Sequence, residues 1–152
     1  MYVPIRDYLG REPDELRKGY DLALITHRTI SQCKSRTIGN QWLTPIMPEN
    51  GILVNPEDAK RQGLKDGDLV KVVSATNPSG EWDLAAGNKK PMVGKLILTQ
   101  TMRPGVTSFA LGFGHWATGA GDVTINGNVI KSDPRRAAGI HANAAMWVDP
   151  TL

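Results

Sequence analysis

Residues 51–70 of the chain read GILVNPEDAKRQGLKDGDLV, and this stretch decides the class of fold. It opens with a short apolar run that is typical of a buried strand. A complete helix signature follows, because Asn55 suits a helix cap, Pro56 a first turn and Gly63 a helix end. An Asp-Gly turn then leads into a half-buried strand predicted over residues 69–75. The fold is therefore built from short elements.

Short strands are also predicted on both sides of this stretch. They cover residues 22–25, 92–99, 106–111, 122–130 and 144–148. Residues 29–50 are polar and interrupted by glycine and proline, so they predict a long loop with one helical turn. About seven short strands with one or two helices favour a closed or nearly closed barrel. The predicted fold class is mainly β.

The chain has 152 residues, a length that suits a single domain with one core. Residues 1–20 are charged and contain two prolines, so we interpret them as an N-terminal arm or linker. Within this arm, residues 13–18 resemble the start of a helix. Residues 21–152 form the predicted domain.

Composition excludes several classes of protein. The formal net charge of +3 is spread along the chain, unlike the concentrated basic surface of a nucleic-acid-binding protein. An apolar stretch of about 18 residues is absent, so we expect a soluble chain without membrane insertion. The single cysteine, Cys33, cannot form an intrachain disulfide or hold a zinc ion alone, and we expect it to be buried.

Four motifs occur in a defined order: ITHR at residues 25–28, VNPEDA at 54–59, GLKDGDLV at 63–70 and MRPGV at 102–106. Together they resemble the molybdopterin dinucleotide-binding, C-terminal domain of the dimethyl sulfoxide reductase superfamily of molybdenum and tungsten oxidoreductases. The resemblance covers residues 22–152. It implies a six-stranded double-psi β-barrel with short peripheral helices.

Three further segments are similar to large subunits of the tetrathionate reductase and arsenate reductase type. They are NPSGEWDL at residues 77–84, GHWATGA at 114–120 and the residues from 133 to 140. This resemblance implies a bis-molybdopterin guanine dinucleotide with molybdenum or tungsten, and a substrate that is a sulfur or arsenic oxyanion. The expected partners are the remaining domains or subunits, which would also hold any iron–sulfur cluster. A twin-arginine signal on such a missing part would place the enzyme in the periplasm.

The resemblance assigns the loop after the first strand to the pterin and the diphosphate. Arg28 offers a planar fork of donors for phosphate oxygens, and Gln32 can both donate and accept at a pterin edge. His27 suits a phosphate, the pterin or a purely structural hydrogen bond. The predicted contacts in this loop are Thr26, His27, Arg28, Thr29, Ser31 and Gln32.

Asn55 and Asp58 have two compatible interpretations. Their positions suit the cap and the first turn of a helix, where the cap alone stabilises by about 1 kcal/mol. The resemblance also places them at the guanine base, because a carboxylate accepts hydrogen bonds from N1 and N2 of guanine but mismatches adenine. The nucleotide would then lie in one cleft that joins this helix start to the loop after the first strand.

In the C-terminal third, the resemblance implies further cofactor contacts. His115 and Trp116 lie in a glycine-rich segment that approaches the pterin in the family. Asn126 or its neighbour Asn128, and later Asn143, match the positions of polar contacts to the pterin. An aromatic residue in the glycine-rich segment is also compatible with a role in the core.

We predict no catalytic residue and no metal ligand in this chain, because the family's catalytic residue belongs to another domain. The isolated chain should therefore be inactive and should bind the dinucleotide weakly or not at all. A stand-alone barrel that binds a protein or peptide is the alternative function. A self-sufficient enzyme resembling aspartate decarboxylase is disfavoured, since the Gly-Ser dipeptide that it cleaves does not occur in this sequence.

Overall fold

The structure of the protein, a computed structural model, describes residues 3, 6–12, 19–83, 89–115 and 119–146. These residues form short strands and one α-helix, α1 (Pro56–Gln62). The strands are β1 (Ala23–His27), β2 (Ile52–Val54), β3 (Leu69–Lys71), β4 (Glu81–Asp83), β5 (Lys89–Pro91), β6 (Val93–Leu98), β7 (Val106–Ala110), β8 (Val123–Ile125) and β9 (Asn128–Ile130).

Five of the strands form one sheet in the order β1-β7-β2-β6-β3. The pairs β1–β7 and β2–β6 are parallel, whereas β2–β7 and β3–β6 are antiparallel. Strands β4–β5 and β8–β9 form two separate antiparallel pairs. The prediction of a mainly β fold is confirmed, and within the described residues the main sheet has five strands and is open.

Helix α1 begins and ends where the sequence predicts. The Asn55 side chain accepts a hydrogen bond from the Glu57 amide at 2.8 Å, and Pro56 occupies the first turn. At the other end Gly63 adopts a left-handed φ of 71°, and its amide is directed to the last carbonyls of the helix. All of these signals act within one or two turns, so the local sequence is sufficient to place the helix.

Buried and exposed residues alternate along β6, so one face of this strand packs into the main core cluster. Strand β7 is buried on both faces, because Phe109 belongs to this cluster and Ala110 to a second one with Ile38 and Phe113. Ile52, Leu96 and Phe109 are among the most buried apolar residues, and Ile140 packs against them from the C-terminal segment. Gly94 in β6 has no room for a β-carbon, which would collide with the Ile140 side chain. This glycine therefore permits close packing rather than the bulge or bend that its position in a strand suggests.

Two predicted strands have a different structure. The stretch 122–130 is a hairpin, because Asn126 and Gly127 both have positive φ and reverse the chain. In the stretch 144–148, residues 144 and 145 belong to a 3-10 helix, Ala142–Ala145, and Met146 caps it, so the described part is not a strand. Ala142 and Ala145 are three residues apart, so a 3-10 turn directs both methyl groups into the core.

Two further expectations from the sequence concern single positions. Cys33 is exposed rather than buried, because the buried position in this turn belongs to its neighbour Gln32. The helix start predicted at residues 13–18 lies outside the described residues. None of the helices within the described residues has the length and apolar composition needed to cross a bilayer.

Candidate functional site

The loops that follow β1 and β7 leave the sheet at the same edge. The two strands are parallel, with His27 opposite Ala110 at their C-terminal ends, and the Leu111 amide donates to the His27 carbonyl at 2.9 Å. Strand β2 runs antiparallel to β7, so Asn50, which precedes β2, lies at this edge as well. We call this region the strand-end edge.

The loop after β1 brings polar groups without partners to the strand-end edge. The Thr29 hydroxyl and the Gln32 Nε2 atom are buried and have no hydrogen-bond partner within the protein. Gln32 is only 5% exposed, and its Oε1 atom accepts a hydrogen bond from the Thr37 hydroxyl at 2.7 Å, which fixes the orientation of the amide. Arg28 is exposed at the start of the loop. Buried polar groups without partners are rare, so this loop is suited to a polar ligand.

The other predicted residues, His27, Thr26 and Ser31, either contact strand β7 or are half-buried. His27 Nδ1 lies 2.7 Å from the hydroxyl of Ser108 on β7. Thr26 is paired with Phe109 in the strand ladder, and Ser31 is half-buried. His27 thus has the hydrogen bond expected of a structural residue, and its second ring nitrogen, Nε2, is the atom to consider for a ligand.

A second group of side chains, which we call the histidine cluster, consists of Trp82, Lys90, His115 and His141. The His141 ring lies over Trp82 with centroids 3.9 Å apart, and the His115 ring meets His141 edge to face at 4.8 Å. The Nε2 atom of His115 and the Nδ1 atom of His141 are buried without partners. Lys90 donates to the backbone carbonyls of Ala137 and Gly139.

Burial determines the charge of the two imidazoles. Desolvation, followed by repulsion from His115 and Lys90, lowers the pKa of His141 to about 4. The pKa of His115 is also lowered, first by burial and then by Lys90. Both rings are therefore neutral at pH 7, and each offers one donor and one acceptor nitrogen. Such a pair matches a heterocycle whose edge alternates donors and acceptors.

Asn50 joins the strand-end edge to the histidine cluster, and the sequence analysis missed it. Its Nδ2 atom donates to the carbonyls of Ala110 at 2.8 Å and Ile140 at 3.0 Å, and its Oδ1 atom accepts from the Ile140 amide at 2.8 Å. The side chain is only 1% exposed. The one signal for Asn50 in the sequence was its position immediately before a predicted buried strand. The residues that it contacts lie far away in the sequence.

Helix α1 lies at the opposite edge of the sheet, so the predicted single cleft is wrong. Strand β2 runs antiparallel to β7 and delivers Asn55 and Asp58 next to Gly105, where β7 begins. The Asp58 carboxylate has no solvent exposure; it accepts a hydrogen bond from the Gly105 amide at 2.7 Å and lies 2.8 Å from Arg61 Nη2. Asn55 donates to the Met102 carbonyl at 2.7 Å. Both side chains thus have partners within the protein, and their role at the guanine base stays a prediction.

The predicted contacts in the C-terminal third are dispersed. Asn126 occupies the tip of the exposed β8–β9 hairpin with a φ of 51°, a conformation that asparagine adopts readily in such turns. Asn143 is exposed on the last 3-10 helix, two residues after His141. Trp116 lies outside the described residues. Of this set, His115 is the residue that the structure brings into a cluster of polar groups.

The described residues contain no cluster of three His, Cys, Asp or Glu side chains that could hold a metal ion. Fold and site together define a mainly β domain that presents unpaired hydrogen-bonding groups and neutral imidazoles at one edge of a sheet. Residues 22–145 match the Molydopterin dinucleotide binding domain, and the chain belongs to this family. The predicted family and cofactor, a molybdopterin dinucleotide with molybdenum, are thereby confirmed.

Larger proteins contain similar segments. The chain is 36% identical over 152 residues to a selenate reductase subunit of Mesobacillus selenatarsenatis, covering 99% of this chain and 14% of that protein. It is 29% identical over 132 residues to a tetrathionate reductase subunit of Salmonella typhimurium, covering 87% of this chain and 12% of that protein. The chain thus spans about one seventh of these relatives or less.

A solved structure supports the fold. Acetylene hydratase from Pelobacter acetylenicus is similar to 74% of this chain with a TM-score of 0.52, and the matched part is 14% of that enzyme. The sequence identity is 19%, so this likeness concerns the fold alone.

Proposed function

We propose that this chain forms one wall of a molybdopterin guanine dinucleotide site in a molybdenum reductase of oxyanions. The observation that carries the proposal is the set of buried polar atoms without partners at the strand-end edge and in the histidine cluster. A protein leaves such atoms unpaired only at an energetic cost, which a bound polar ligand removes. The family to which the chain belongs supplies the identity of that ligand.

The chemistry of the donor set fits the cofactor. The pterin edge carries both donors and acceptors, which the Gln32 amide and the neutral rings of His115 and His141 complement. The diphosphate is anionic, and the exposed fork of Arg28 and the hydroxyl of Thr29 donate to such oxygens. When bound, the cofactor supplies the electron and oxygen-atom transfer chemistry, whereas the chain binds and orients it.

The sequence and the relatives add detail to this proposal. We propose that the enzyme holds two copies of the molybdopterin dinucleotide and that the strands of this domain have a double-psi arrangement. The substrate is an oxyanion of sulfur, arsenic or selenium, since the relatives are reductases named for selenate and tetrathionate. The remaining domains or subunits of such an enzyme close the cofactor site, and for this reason the isolated chain should bind the dinucleotide weakly.

A chimeric enzyme tests this function. The matching segment of the Mesobacillus selenatarsenatis selenate reductase is replaced by this chain, and the molybdenum content and the rate of selenate reduction are measured. We expect the chimera to retain molybdenum. The variants Thr29→Val and Gln32→Leu should lower its molybdenum content, because each removes a buried group that the cofactor would satisfy.

Thr101→Val and Gln100→Leu are matched controls. Both residues are exposed and lie after β6, at the α1 edge of the sheet, so these changes should leave the molybdenum content unchanged. A folded chimera without molybdenum would contradict the proposed function. An equal loss in the control variants would contradict the location of the site.

A further inference from the structure

A hairpin that projects from the domain is exposed along its whole length. Strands β8 (Val123–Ile125) and β9 (Asn128–Ile130) pair with each other, and within the described residues neither strand joins the main sheet. Every residue from 122 to 130 is exposed. A two-stranded hairpin is marginally stable at best in water unless it packs against another element. An exposed hairpin of this kind is therefore a candidate surface for a partner.

The register of the hairpin places its apolar side chains mainly on one face. Val123 lies opposite Ile130, and Ile125, two residues further along β8, is on the same side as Val123. The exposed fractions of Val123, Ile125 and Ile130 are 49%, 51% and 54%. Thr124 and Val129 are paired on the other face. We call the side that carries Val123, Ile125 and Ile130 the hairpin face.

The hairpin is held in shape by contacts of its own. At its base the Asp122 carboxylate accepts hydrogen bonds from Lys131 Nζ and from the Ser132 amide, both at 2.8 Å. At its tip Asn126 and Gly127 have φ values of 51° and 77°, and positive φ at both positions suits a tight hairpin turn. The hairpin face is therefore formed before any partner binds, which lowers the ordering cost of docking.

The charge pattern defines the chemistry of a matching surface. Residues 123–130, VTINGNVI, carry no charge, and the charges of Asp122 and Lys131 at the base of the hairpin neutralise each other in an ion pair at 2.8 Å. The fourth side chain on the hairpin face, Asn128, is neutral as well. A charged surface would lose hydration against these side chains without gaining an ion pair. The matching surface is therefore uncharged and apolar.

The size of the hairpin face decides between a second copy of the chain and a larger assembly. Three half-exposed Val and Ile side chains offer on the order of 100–200 Å² of apolar surface. A stable interface between separate proteins buries about 800 Å² on each partner. The face is thus too small to hold a dimer of this chain, whereas it suffices between parts of one enzyme, because tethering raises their effective concentration. The chain spans 14% or less of its selenate reductase and tetrathionate reductase relatives, so an enzyme of that kind has ample surface outside this segment.

We propose that the hairpin face docks on an uncharged, apolar surface of the remaining part of the enzyme and fixes this domain against it. The inference rests on the proposed function in one respect, which is the larger enzyme in which this chain forms one wall. It deepens that function by naming a surface through which the domain is held in the enzyme.

Hydrogen exchange in the chimeric selenate reductase, compared with the isolated chain, tests the inference. The amides of residues 123–130 should exchange at least about tenfold more slowly in the chimera, because a covered hairpin opens less often. Ile125→Lys, which places a charge on the hairpin face, should abolish this protection and lower the unfolding temperature of the chimera. The same change should leave thermal unfolding of the isolated chain nearly unaltered, since Ile125 is exposed there.

Thr124→Lys is the matched control, because it places the same charge on the neighbouring residue of β8 but on the other face. Protection that is lost in Ile125→Lys and kept in Thr124→Lys supports the hairpin face. Equal behaviour of the two variants, or hairpin amides that exchange as fast in the chimera as in the isolated chain, overturns it. A dimer of the isolated chain that Ile125→Lys dissociates would identify a second copy as the occupant and would overturn it as well.

The same measurements separate this inference from the proposed function. If the chimera contains molybdenum while its hairpin amides are unprotected, the docking surface is wrong and the proposed function stands. If the chimera folds without molybdenum while its hairpin amides are protected and only Ile125→Lys exposes them, the proposed function is wrong and the docking surface stands.

Discussion

Replacement of Asn50 by alanine should destabilise the chain more than any other exchange of a single amide. The side chain is 1% exposed and takes part in three hydrogen bonds, at 2.8, 3.0 and 2.8 Å. Each contributes about 1 kcal/mol net, and the buried backbone groups that lose their partner cost more, up to ~3 kcal/mol each if water cannot reach them. We expect a loss of about 3 kcal/mol in the free energy of unfolding.

The measurement is urea unfolding of the purified chain, with thermal unfolding as a second probe. For a domain of this size, 3 kcal/mol corresponds to a decrease in Tm of roughly 6–12 °C. Asn50→Asp separates hydrogen bonding from packing, because it retains the shape and the acceptor for Ile140 but replaces the donor with an oxygen. This isosteric variant should be destabilised at least as strongly at neutral pH.

Asn143→Ala is the control, since the Asn143 side chain is exposed. Changes at exposed positions usually alter stability by less than about 0.5 kcal/mol. If Asn50→Ala cost no more than this control, the buried amide would not connect β7 to the C-terminal segment, and our account of how the site is assembled would be wrong.

Three further outcomes follow from other contacts. Asp58→Asn should lower the free energy of unfolding by about 2 kcal/mol in urea unfolding, because it loses the charged hydrogen bond to the Gly105 amide. The exposed Glu57→Gln serves as its control, and an equal loss in this control would contradict the contribution of the Gly105 contact. The pKa of His141 is about 4 when folded and about 6.5 when unfolded, so the unfolded chain binds more protons between these values. Stability should therefore decrease as the pH falls from about 6.5 to 4, and His141→Gln should flatten this decrease in unfolding measured against pH; an unchanged slope would contradict the buried neutral ring. Gly94→Ala should cost about 1–3 kcal/mol by crowding Ile140, and the double variant with Ile140→Val should recover part of it, whereas additive losses would refute the contact.

The sequence predicts those parts of the fold whose causes are local. Helix α1 follows from Asn55, Pro56 and Gly63, which lie within a few residues of the backbone groups that they satisfy. The strands before and after it were placed to within a few residues for the same reason. By contrast, the apolar run at 144–148 has no local signal that separates a strand from a 3-10 turn, because the packing of Ala142 against the core decides between them.

The parts of the site that the sequence did not predict depend on pairings between distant residues. Whether α1 lies beside the loop after β1 depends on the direction of β2 against β7, which no local pattern encodes. Asn50 finds its partners 60 and 90 residues away. Trp42 and Arg135 likewise line one polar cavity although they lie far apart in the sequence. In each case the residue type is compatible with several roles, and the position of the residue in the fold determines which role it has.

Asp58 nevertheless acts on the site, through the strand that connects the two edges of the sheet. Its carboxylate holds the Gly105 amide, and the Gly105 carbonyl in turn accepts from the amide of Ala23, so the beginnings of β7 and β1 are fixed together. The two strands then remain in register for five residue pairs, ending at His27 and Ala110. A shift at Gly105 would displace the whole strand, because a ladder of hydrogen bonds moves as a unit. The motif around α1 therefore sets the position of the strand-end edge from the far side of the sheet.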